Sequence, residues 1–130
     1  MTNKSKKILT EISAGELLDK ISILAIKEDR LVDEAKKSYV SKELRYLMEL
    51  GDDLLTNHMI NYNRLLVINM ELWDIEDEIR AKGEADEFDE RFIELSRWIY
   101  EKNDERARIK NNIDRQSDSE FREQKGHKTV

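Results

Sequence analysis

Asn69-Met70-Glu71-Leu72-Trp73-Asp74-Ile75-Glu76-Asp77-Glu78-Ile79-Arg80 is the stretch on which the fold turns. At about 100° per residue of an α-helix, Leu65, Ile68, Leu72, Ile75 and Ile79 gather on one side, and Tyr62, Leu66 and Trp73 begin a second apolar arc beside it. Between the two arcs lie Asn69, Glu76 and Arg80. A helix that served packing alone would carry Leu or Ala there, because a buried charge without a partner costs several kcal/mol. The stretch therefore predicts a long amphipathic helix with three polar positions on its inward side.

The same three- and four-residue spacing recurs over most of the chain, so a charged content of 40% belongs to solvated helix faces and not to disorder. With no Pro, four Gly and 38% hydrophobic residues in 130, the chain reads as one all-α domain, a compact bundle of about four helices. Residues 1–12 form a basic tail and a short extended segment, 13–115 the bundle, and 116–130 a second tail that is mobile or docked through Phe121. Ser13 and Glu16 form an S-x-x-E capping box that opens helix one at about residues 14–31. That helix carries apolar residues on two sides and so needs more than one neighbour. Helix two starts at Val32 or Asp33 and either stops at Gly51 as a left-handed cap or continues past it, since Leu54 and Leu55 extend the same stripe at a cost of about 1 kcal/mol. A break follows near residues 52–60, with Thr56 or Asn57 capping helix three, which ends near Gly83. Helix four runs from Phe88 or Asp89 to about Arg115, and the short connection at 83–88 makes helices three and four a long antiparallel pair.

The absence of Cys and the presence of only two His, His58 and His127, exclude disulfides and the usual zinc sites. Neither a signal peptide nor a membrane span is evident, which points to the cytoplasm. A net charge of -6 disfavours nucleic acid. The two-sided stripe of helix one suggests a homodimer as a secondary expectation.

At this point the residues resemble a family of small uncharacterised helical proteins of bacteria and their phages, a domain-of-unknown-function family. The resemblance is carried by Gly15-Glu-Leu-Leu-Asp-Lys-Ile21 with Ile23-Leu24, by Leu72-Trp-Asp-Ile-Glu-Asp77 with Ile79-Arg80, and by Tyr100, Asn103-Asp104, Arg106-Ala107 and Ile109-Lys110. Phe92, Ile93 and Leu95 precede the last block, and Glu123 with Lys125 form a closing element. The family usually continues with aromatic residues where this chain reads Gly126-His127-Lys128. The resemblance implies a helical fold and no established activity.

Glu28 lies in the main face of helix one, and Asn103, Arg106 and Lys110 interrupt the stripe of helix four. Together with Asn69, Glu76 and Arg80 they admit two readings. In one, three helices aim them into a polar pocket walled by Trp73 and Tyr100, where Arg106 and Lys110 meet a small anionic, phosphorylated ligand. In the other, the carboxylates and cations pair with one another and fix helix register without a ligand. An enzymatic alternative comes from carboxylates spaced i, i+3: Glu16/Asp19, Glu71/Asp74 and Glu101/Asp104. By spacing alone they resemble the all-α nucleotide pyrophosphohydrolases, which implies Mg²⁺ held by Glu16, Asp19 and Asp104. The leading expectation is a binding or accessory module that uses no cofactor.

Overall fold

The computed structural model of the chain describes residues 6–118, in which five helices follow in order: α1 (Ala14–Arg30), α2 (Glu34–Leu50), α3 (Asp52–Asn57), α4 (Met59–Glu84) and α5 (Glu90–Gln116). The described residues are 82% helical and contain no strand. The expected docking of Phe121 and the closing element Glu123/Lys125 lie outside them.

α1 is the hub, packing against every other helix. Its neighbours bury it nearly all round, with Leu17, Leu18, Asp19, Ile21, Ser22, Leu24 and Ile26 inside, which explains why its sequence is apolar on two sides. α2 covers one flank and runs antiparallel to it, with Lys20 pairing to Glu43. On the other flank α4 runs in the same direction as α1, and α5 returns beside both. Leu18, Ile21, Leu65 and Ile113, all essentially inaccessible, form the centre, and each contributes on the order of 1.5–3 kcal/mol by leaving water.

Helix ends follow local chemistry. The Ser13 hydroxyl accepts from the Glu16 amide at 3.1 Å, which is half of the expected capping box; the Glu16 carboxylate turns away to Lys110. Gly51 does separate α2 from α3, but at φ -98° it is not left-handed. It is there for space: a Cβ would sit 3.3 Å from side-chain carbons of both Leu17 and Ile21. Neither Thr56 nor Asn57 caps α4, which follows α3 directly through His58 without a side-chain cap. α4 does end next to Gly83, at Glu84, but the glycine is not the stopping residue. The helix ends in a Schellman turn, in which the Glu87 amide donates to the Lys82 carbonyl at 2.9 Å and the Asp86 amide to that of Gly83 at 3.1 Å. Asp86 takes the left-handed position at φ 55°, so an aspartate does the work expected of the glycine. Asp89 then closes the hairpin twice over, accepting from the Phe92 amide at 3.0 Å and from Lys82 at 2.9 Å.

Candidate functional site

Polar side chains meet where α1, α4 and α5 converge. Asp19, only 3% exposed, takes both ends of a fork from Arg106: Nε donates to Oδ1 at 2.9 Å and Nη2 to Oδ2 at 2.5 Å. Asn69 Nδ2 adds a third bond to Oδ1 at 2.9 Å and also donates to Ser22 Oγ at 2.8 Å, while the Ser22 hydroxyl donates to the Asp19 carbonyl at 2.6 Å. Arg106 further reaches Asn103 Oδ1 at 3.3 Å. Two-pronged arginine–carboxylate geometry is among the stronger polar contacts available to side chains, and the third bond, from Asn69, further compensates the burial of the Asp19 carboxylate.

Toward the C-terminal end of α5 the same interface carries a second layer. Lys110, 4% exposed, meets Glu16 at 2.6 Å, and the Gly15 amide donates to Asp114 at 2.6 Å. Asp114 is 1% exposed and caps the N-terminus of α1 from a neighbouring helix, where an anion is favoured by the helix dipole. Gly15 makes this approach feasible, since a Cβ there would lie 2.4 Å from the backbone oxygen of Lys110.

The structure thus brings Asn69, Asn103 and Arg106 together, as the sequence suggests, with Lys110 one turn further along α5. It corrects the other members of the expected pocket. Glu28 faces the opposite flank of α1, in a crevice with Lys37, Ser41 and Arg45 of α2. Glu76 and Arg80 are exposed, although they continue the inward line of Asn69, because α1 has ended: its last residue, Arg30, reaches only to Asp74, at 2.6 Å. Trp73 lies under the Arg30 guanidinium, 5.7 Å from the ring centre, and lines an apolar crevice with Leu31, Ala35, Tyr39 and Val40. Tyr100 is 58% exposed. Glu16 and Asp19 each face a cation, and among the described residues no three acidic or His side chains group as metal ligands, so Glu16, Asp19 and Asp104 do not form a trio. Asp19 enters the network as the carboxylate that Glu28 or Glu76 was expected to supply. Ser22 and Asp114 were not anticipated, although an aspartate directly after Ile113 on an apolar stripe marks a polar group on a buried face.

A different feature lies on the side of the α4–α5 pair away from α1. There the two helices form an open groove made of two adjoining cavities, of about 540 and 410 Å³, that share Glu71 and Glu105. One end is apolar, with Ile60 and Val67 exposed beside Arg64; the other has Ile75 and Trp98 at its base. Acidic residues dominate the second end: Glu71, Asp74, Glu78, Glu101 and Glu105 against Arg91 and Lys102. Both cations are already engaged, Arg91 by Glu78 at 2.7 and 2.9 Å and Lys102 by Glu71 at 3.1 Å. Among the described residues, Glu101 and Glu105 pair with no basic side chain. The hydrogen bond from Arg91 holds the Glu78 carboxyl below its ordinary range, and that pairing raises Arg91 in turn. The Arg91 guanidinium stacks 4.8 Å from the Trp98 ring centre.

These features define an all-helical protein with a hydrogen-bonded polar cluster at the α1–α4–α5 junction and an open groove on the outer face of α4 and α5. The chain belongs to a family of unknown function (DUF6165), whose pattern matches residues 8–130. No curated protein and no solved structure is significantly similar to it. No helix among the described residues is long and apolar enough to cross a membrane.

Proposed function

We propose that the protein is a non-enzymatic binding module of the cytoplasm that accepts a cationic, partly apolar segment of a protein partner along the outer groove of α4 and α5. The observation that carries this reading is the groove itself, an apolar floor at Ile75 and Trp98 bordered by carboxylates, two of which pair with no basic side chain among the described residues. A helix or strand with lysines flanking apolar residues would bury its apolar side on that floor and offer its charges to Glu101 and Glu105. Such a groove repels nucleic acid. The small-anion reading has less support, because Arg106 and Lys110 already face Asp19 and Glu16 and an anion would have to displace those carboxylates.

The test follows Trp98 emission in a Trp73→Phe background while cationic amphipathic peptides are added, alongside thermal melts with phosphate and nucleotides, with and without Mg²⁺. The expected result is a blue shift with cationic peptides that salt weakens. A silent Trp98 together with a melting temperature raised by phosphate or nucleotide would overturn the proposal in favour of the anion site.

A further inference from the structure

The segment that precedes α1 is unusual for a structured chain. Ile8 and Leu9 are 88% and 89% exposed, Ile12 is 49% exposed, and Lys6 and Lys7 stand directly before them. Two large aliphatic side chains held in water beside two lysines have the composition that the groove is built to receive: apolar residues for Ile75 and Trp98, ammonium groups for Glu101 and Glu105. From this complementarity we infer that the groove is filled by the Lys6–Leu9 arm of a second copy of the chain, so that two copies exchange arms about a twofold axis. The inference rests on the groove being a site for cationic segments.

Reach favours a second copy. Gly15 is tied to Asp114, and from there back to Leu9 an extended chain spans about 20 Å. The axial distance from Asp114 to Trp98 along α5 is already about 24 Å, before the chain rounds the helix to its outer face. Leu9 therefore falls short of Trp98 in its own molecule, and Ile8, with about 24 Å of extended chain, has none left to round the helix. In an exchanged pair each arm fills the other's groove, giving two equivalent contacts and a closed dimer. Because the contact pairs lysines with carboxylates at an exposed rim, salt weakens it.

The experiment uses two full-length variants. Ile8→Asp/Leu9→Asp disables the arm and leaves the groove, while Trp98→Ala/Glu101→Lys disables the groove and leaves the arm. All four side chains lie outside the central core, and melting curves verify that both variants fold. Sedimentation of the unaltered chain is expected to show a dimer whose dissociation constant rises at least about tenfold in each variant. When the two variants are mixed, one intact arm meets one intact groove, and a heterodimer held by that single contact is expected. A dimer in the arm variant as tight as that of the unaltered chain overturns the inference, as does a mixture in which the variants remain apart or an unaltered chain that is monomeric throughout. A peptide of residues 1–12 added to the arm variant separates this failure from that of the groove. If unrelated cationic helices shift Trp98 emission and this peptide does not, arm exchange is refuted and the groove stands; if neither does, both fall.

Discussion

Replacing Arg106 by methionine tests whether the network at the α1–α4–α5 junction is a structural device or a vacancy for an anion. The substitution keeps an apolar stem of similar length and removes the fork that holds Asp19 at 2.9 and 2.5 Å. Asp19 is then a carboxylate at 3% exposure with Asn69 as its remaining partner, and stranding a buried charge in this way costs about 3–5 kcal/mol. For a chain of this length a loss of about 4 kcal/mol corresponds to a fall in Tm of about 12–24 °C. Adding Asp19→Asn should recover much of the loss, because the charge is gone while the bond to Asn69 can persist. Urea unfolding of the single and double variants measures both quantities. A variant as stable as the parent, or a double variant no better than the single one, refutes the account of Asp19 and Arg106 as a mutually dependent pair.

Further outcomes can be stated briefly. Gly15→Ala forces a Cβ against the Lys110 carbonyl, and because the obstacle is backbone the helices must separate; the expected loss is about 1–3 kcal/mol in denaturant unfolding. Gly83→Ala meets nothing within 4 Å inside α4 and should stabilise by about 0.5–1 kcal/mol in the same assay. At the hairpin tip Lys82 holds the Asp89 carboxyl below its ordinary range, so the carboxyl's stabilising contribution is full above that range and is lost as pH falls through the lowered value. The same bond raises Lys82, whose contribution is full below the ordinary lysine range and is lost as pH rises through the raised value. Amide exchange near residues 82–92 should accelerate at both extremes before the core responds, and a tip that keeps pace with Leu18 across the pH range would contradict this.

Much of this architecture is written in helix periodicity, because a stripe such as Leu65, Ile68, Leu72 and Ile75 must be covered by something whatever the partner. Periodicity also identified Asn69, Asn103 and Arg106 as inward polar residues. What it does not carry is the length of the covering helix. Glu76 and Arg80 share the direction of Asn69 and end in solvent because α1 stops short of them. Nor does periodicity say which carboxylate wins a guanidinium. Asp19 prevails over Glu28 because a neighbour across α1, and not a position along it, determines the pairing. The groove is not legible in periodicity for a related reason: only the placement of α1 on the far side of the pair leaves the face of Trp98, Glu101 and Glu105 uncovered.

The unequal helix lengths have a mechanical side as well. Past Asp74, where Arg30 makes its contact, α4 continues to Glu84 and α5 starts at Glu90, so about 15 Å of paired helix extends past the hub as a cantilever. Its stiffness comes from Ile75 and Leu95 near its root, the edge-to-face rings of Phe88 and Phe92 at 5.1 Å, and the Lys82 and Arg91 pairs. Tilting that beam by about 10° carries its tip through about 2.5 Å while its base hardly moves. Glu78 and Arg91 ride on the beam and Trp98 sits near its root, so the groove spans the junction between the beam and the part of the pair that the hub covers.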